Sequence, residues 1–290
     1  MLAKTLLSTL SLFAVAATAL AAPSKTPGRK VIHPIRHNGA ILASTLPISY
    51  HGGPIMSGTV NTYIIYYGSW SSSQQSIIND FTTGIGSTSW FNIEKTYHDN
   101  SGHTCSGLVN LGGTVVDNYS QGKSLSDNSL PSIVSHAIAN GLPTDPNGVY
   151  MIVTSGDVSE TSGFCTQYCG FHTSGTINGA NLKYAFIGDA TSCTSACIAP
   201  ENQSSSPNGD IGVDGLISVY AHELVETISD PYGNAWYDIR GQENADKCAW
   251  TFGTESTASN GSKYNIAFGG RQYLIQRNWD ASAQTCAQSA

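Results

Sequence analysis

The run His222-Glu223-Leu224-Val225-Glu226 is where residue types and spacing in this 290-residue chain come closest to a reaction centre. On a helix, His222 and Glu226 stand four residues apart and point the same way. An imidazole nitrogen and a carboxylate oxygen can then grip one ion. Glu223 sits about 100° further round the axis, beside the pair rather than in it. Zinc takes Asp or Glu oxygen at distances close to those for histidine nitrogen, so the donor set is chemically coherent. A carboxylate beside a zinc-bound water is placed to take its proton, which makes Glu223 the candidate catalytic base. The competing reading is a solvated acidic helix face with His222 as a cap or core residue. Against it, the helix is otherwise apolar, and three ionisable groups buried together are costly unless paired or metal-bound.

The arrangement is that of the His-Glu-x-x-His zinc proteases with a carboxylate in place of the second imidazole. A third protein ligand should follow, and Glu243 or Asp246 is expected to supply it. Both lie in Gly241-Gln-Glu-Asn-Ala-Asp-Lys-Cys248, a short helix or turn that a disulfide would hold rigid. Asp230 and Asp238 are read as closing the turn after the helix, and Asp210 and Asp214 as capping its start, where the dipole favours acids. A carboxylate-rich set also admits calcium; His222 tilts the choice to zinc. His51, His98 and His103 are read as surface or loop residues. No Gly-x-Ser-x-Gly elbow appears, so a serine hydrolase has no footing.

The elements that must position this chemistry follow from periodicity. Ile217, Ala221, Leu224 and Ile228 make one helix face over Leu216 to Ser229, which Pro231 ends. Val60 to Gly68, Val149 to Thr154 and Leu182 to Ile187 read as strands. Leu108 to Tyr119 reads as a strand, or as a hairpin about Gly112-Gly113. Ser72 to Thr83 and Pro131 to Ala139 read as helices, the second opened by proline at its first position. Tyr264 to Phe268 and Arg271 to Gln276 predict a C-terminal hairpin through Gly269-Gly270. The fold class is therefore α/β or α+β: one mixed-sheet domain over residues 48–290, with packed helices, a zincin-like active-site helix and disulfides.

Export is written at the start of the chain. One charge, Lys4, precedes an apolar stretch that closes on Ala19-Leu20-Ala21, the small-x-small pattern of a signal peptide over residues 1–21. Residues 22–47 form a basic leader, either a flexible tail or a pro-segment over an acidic cleft. Five of the 13 basic residues lie in the first fifty positions, which hold no acid. The remaining eight face all 20 acids, a balance of −12 from residue 51 onward. That balance argues against nucleic acid as a partner. No stretch is long and apolar enough to anchor in a membrane. Of seven cysteines, most should pair in an oxidising compartment, and the odd number leaves one over. At least two disulfides are expected among Cys165, Cys169, Cys193 and Cys197, with Cys248–Cys286 as a third; a four-thiolate zinc site is the alternative. Asn118, Asn202 and Asn260 begin N-glycosylation sequons.

Five stretches also resemble the EXORDIUM, or phosphate-induced protein 1, family. They are Tyr50-His-Gly-Gly-Pro-Ile, Ile64-Ile-Tyr-Tyr-Gly-Ser-Trp70, Thr154-Ser-Gly-Asp-Val158, Gly163-Phe-Cys-Thr-Gln-Tyr-Cys-Gly170 and Pro207-Asn-Gly-Asp-Ile-Gly-Val-Asp-Gly215. The His222–Glu226 helix, Asn234-Ala-Trp-Tyr237 and Glu243–Cys248 look like the family pattern as well. The resemblance, from about Tyr50 to Cys248, implies a secreted, cell-wall-associated protein tied to growth and nutrient responses, with no assigned reaction. The leader and the stretch after Cys248 depart from the plant members. Two expectations follow: a monomeric secreted zinc hydrolase acting on an extracellular protein or peptide, or a non-catalytic partner of a cell-wall component with a structural ion or polar core at the same residues.

Overall fold

The computed structural model describes residues 30–36 and 45–290. The expected signal peptide and most of the expected leader lie outside the described residues. Six strands form the main sheet: β1 (Val31–Pro34), β2 (Thr59–Tyr67), β3 (Leu108–Asp117), β4 (Val149–Thr154), β5 (Tyr168–Ile177) and β6 (Ala180–Gly188). Their order across the sheet is β3-β2-β4-β6-β5-β1. β3, β2, β4 and β6 run parallel, β5 is antiparallel to β6, and β1 is antiparallel to β5. The central strand β4 is buried at every position, as expected of a strand covered on both faces.

Three helices cover the sheet: α1 (Ser72–Ile85), α2 (Leu130–Ala139) and α3 (Ile211–Ser229). Ser71 caps α1 in a reciprocal box with Gln74, and Ile77, Ile78 and Phe81 face inward. Helix α3 starts five residues earlier than the apolar spacing predicts, because Asp210 supplies the cap by accepting from the Val213 N–H. From Gly212 to Ser229 every residue of α3 is buried. It packs on β5, β6 and α1, so all its sides meet protein. That burial turns His222, Glu223 and Glu226 from surface charges into core groups.

Most predicted elements stand, with three corrections. Gly112-Gly113 makes no hairpin: Thr62 pairs with Leu111 and Tyr63 with Gly113, so Gly112 is an unpaired bulge inside one continuous strand. The hairpin Ile266–Phe268/Arg271–Tyr273 forms as expected, though shorter. Strand β5 escapes the alternation test because Gly170, Ser174 and Gly175 interrupt it, while its hydrogen bonds come from β6 and β1. Part of the leader is no tail, since Val31–Pro34 completes the sheet.

Disulfides join Cys165–Cys193, Cys169–Cys197 and Cys248–Cys286, and Cys105 is free and buried. The four-thiolate zinc alternative is thereby overturned: all four of those sulfurs are spent in covalent pairs. Asn202 is buried, and its amide donates to the Lys263 carbonyl (2.8 Å), so that sequon is closed to a glycan; Asn118 and Asn260 are exposed. Among the described residues no helix is long and apolar enough to cross a membrane.

Candidate metal centre

Helix α3 brings His222 and Glu226 together as the four-residue spacing requires, with Nε2 3.0 Å from Glu226 Oε1. The contact is not aligned as a hydrogen bond, so Nε2 has no hydrogen-bond partner. Asp246 enters from the short helix Asp246–Cys248, its Oδ1 3.6 Å from the same nitrogen. The backbone N–H of Asp246 donates to Glu226 Oε1 (2.9 Å), which fixes that loop against the helix. One donor atom from each of His222, Glu226 and Asp246 lies within 4.8 Å of the others.

A second group shares Glu226. His172, on β5, places Nε2 3.1 Å from Glu243 Oε2 and 3.7 Å from Glu226 Oε2. Donor atoms of His172, Glu223 and Glu226 also converge within 4.8 Å. Of the two expected third ligands, then, Asp246 joins the His222 cluster, and Glu243 binds the histidine of the neighbouring one. Sequence reasoning missed His172. Its signal was faint: one imidazole in a glycine-broken strand just after the Cys165-x3-Cys169 pair.

The electrostatics is that of charges held out of water. His222, Glu223, Glu226, His172 and Glu243 are all at most 1% exposed. Burial opposes protonation of His222, but Glu226, Asp246 and Glu223 together hold its pKa well above that of a free imidazole. Burial lifts Glu226 to about 7; Asp246 adds to the rise and His222 opposes it. Burial also raises Glu223 well above the carboxylate range, against the pull of His222. Neither oxygen of Glu223 has a hydrogen-bond partner, and Glu226 Oε2 has none either. A buried carboxylate without a donor costs several kcal/mol unless a proton or a cation supplies the missing partner. Two carboxylates and an imidazole turned toward one space, with unpartnered atoms on each α3 residue, fit a divalent cation.

Further groups orient this centre. Gln276 Oε1 lies 3.3 Å from His222 Nδ1, and its amide nitrogen lies 2.6 Å from His33 Nε2. Such a contact fixes the tautomer of a ligating histidine. The ring of His33 packs edge-on at 4.1 Å from that of His222. The other residues weighed from sequence lie apart from it. Asp230 accepts from the Asn234 and Ala235 N–H groups and closes the turn after α3. Asp238 accepts from the Arg240 and Gln242 N–H groups and pairs with Lys247. Asp214 accepts from Asn208 at the start of α3. His51 is exposed and stacked on Tyr237, and His98 and His103 are exposed around Asp99.

Comparison with known proteins places relatives around this geometry. The model of the phosphate-induced protein 1 conserved region matches residues 48–289, well beyond Cys248, where the motifs alone stop. Protein EXORDIUM-like 3 of Arabidopsis thaliana is 33% identical, over 91% of this chain and 89% of its own. Protein PHOSPHATE-INDUCED 1 of Nicotiana tabacum is 28% identical over 83% and 87% of the two chains. Protein EXORDIUM of Arabidopsis thaliana is 27% identical over 83% and 88%. No solved structure matches the chain.

Proposed function

The chain belongs to the phosphate-induced protein 1 family, and from that footing we propose that it is a secreted, zinc-dependent hydrolase acting on polypeptide. His222, Glu226 and Asp246 would hold the ion, with calcium the second choice, and Glu223 would act as base. One observation carries this reading: Glu223 is fully buried beside the three donors with no well-aligned hydrogen bond to either oxygen, although the His33 main chain lies near enough to favour its charged form. A purely structural ion needs its ligands and nothing more. A buried neighbouring carboxylate without a well-aligned hydrogen bond is costly to keep, and burial makes it a stronger base than a solvated one. When bound, zinc would supply a water of lowered pKa.

A second reading, a non-catalytic extracellular protein with a closed structural ion, is favoured by the burial of His222, Glu223 and Glu226. Zinc content, thermal stability and peptide hydrolysis of wild type, His222→Ala, Glu226→Ala and Glu223→Gln separate the two. The hydrolase reading expects the first two variants to lose zinc and stability. It expects Glu223→Gln to keep zinc and lose about a hundredfold or more in rate. Zinc bound with no hydrolysis, even after leader release, would establish the structural ion. No metal in any of the four, with unchanged stability, removes the site.

A further inference from the structure

Residues 30–36 run along the outer edge of β5 as its antiparallel partner, in the register Val31 to His172, Ile32 to Phe171 and His33 to Gly170. Successive side chains on a strand alternate between faces. Val31 and His33 are therefore turned inward and buried, whereas Ile32 is 38% exposed. His33 ends against His222, at the centre itself.

The rest of the segment is gripped by groups of stated chemistry. Lys30 Nζ lies 2.8 Å from Asp127 Oδ1 and 4.0 Å over the Phe171 ring. The Pro34 carbonyl accepts from Trp250 Nε1 (3.0 Å), and the Arg36 N–H donates to the Ala196 carbonyl (2.8 Å). Main-chain bonding along a sheet edge, with pockets for alternate side chains, is how a protein takes an extended peptide.

Strand β5 does not depend on β1 for its place in the sheet. Strand β5 is tied on its other edge to β6, and Cys169–Cys197 pins its start. The ladder with β1 is short, and its register shifts between His33 and Pro34.

We propose that the outer edge of β5 is a groove for an extended polypeptide, filled in this form by the chain's own leader, and that leader release admits a peptide of the same pattern. That pattern is a basic residue three positions before the residue over His222, with an apolar side chain at the position following the basic one. The fate of the bound peptide rests on the zinc-hydrolase reading; its binding does not.

The test uses the full mature chain with a recognition site for a sequence-specific protease placed between residues 37 and 44. After cleavage, the leader fragment should separate on gel filtration while the circular dichroism of the body is retained. A fluorescent peptide of residues 30–36 should then bind the cleaved protein and not the intact one. Peptides carrying Lys30→Glu or His33→Ala should bind roughly tenfold more weakly or worse. A fragment that stays bound and does not exchange with labelled peptide, or a body that unfolds when the fragment leaves, would make β1 a permanent strand and overturn the proposal. A freed edge that takes no peptide would overturn it equally. Binding without zinc or hydrolysis would sustain the groove and sink the hydrolase reading alone.

Discussion

Glu94 shows what burial does to one carboxyl. Its Oε1 accepts from Asn244 (3.0 Å) and Asn278 (2.7 Å), yet burial still raises its pKa to about 8. The folded chain therefore keeps a proton that the unfolded chain releases above about 4.5. Stability from this group is full below that value and is lost as pH rises through about 8. Thermal melts of wild type and Glu94→Gln from pH 5 to pH 9 should show a smaller decline in the variant; parallel curves would remove Glu94 as the cause. Gly170 is a second single-residue device. A Cβ there would fall 2.6 Å from Val219 Cγ1, 2.9 Å from the Phe186 carbonyl and 3.1 Å from Glu223 Oε1. Strand β5 can approach α3 so closely only because that atom is missing. Gly170→Ala should cost about 1–3 kcal/mol by overpacking and should displace Glu223. Urea denaturation, with zinc content alongside, would measure both, and a neutral effect would mean that the helix yields.

At the scale of elements, one covalent pin holds what the helix alone cannot. Cys248–Cys286 closes a loop with a sequence separation of 38 and ends the short helix that carries Asp246. Replacing both cysteines by serine should cost about 2–4 kcal/mol through the unfolded chain, and should weaken zinc binding more than it disturbs the main sheet. Equilibrium dialysis against zinc beside a chemical melt would separate the two; unchanged zinc affinity would show that the hydrogen bond from Asp246 N–H to Glu226 suffices. The cap of α3 is a smaller lever. Asp210 accepts from Val213 N–H, and Asp210→Ala should cost about 1 kcal/mol.

For the whole molecule, an ion bound at the centre would tie folding to metal. The unfolded chain has no preformed site, so any ion bound in the core stabilises the fold. Zinc at about a hundred times its dissociation constant adds about 2.7 kcal/mol, a rise of roughly 5–10 °C in Tm for a domain of this size. Chelator should reverse that rise, and calcorimetric scans with and without zinc that coincide would count against the centre. The seventh cysteine gives a check on the framework. Cys105 is buried and the other six are paired, so unreduced protein should show one thiol only after unfolding, against several if the pairs were absent.

Local patterns were enough to read α1, α2, β2, β4 and the C-terminal hairpin, because each carries its own periodicity and its own cap or turn. The His222–Glu226 pairing was legible for the same reason: four residues on one helix fix a direction whatever the helix packs on. The sequence also grouped the cysteines correctly, since close spacing limits which sulfurs can meet. Tertiary structure alone decided the rest. The choice of Asp246 rather than Glu243 beside His222 depends on how a distant loop folds back on α3. His172 and His33 reach the centre through strand pairing, a contact between segments far apart in sequence that no local period encodes. Whether α3 would be a wet acidic face or a buried one was likewise settled by the elements that surround it, and that burial is what gives its three ionisable groups their chemistry.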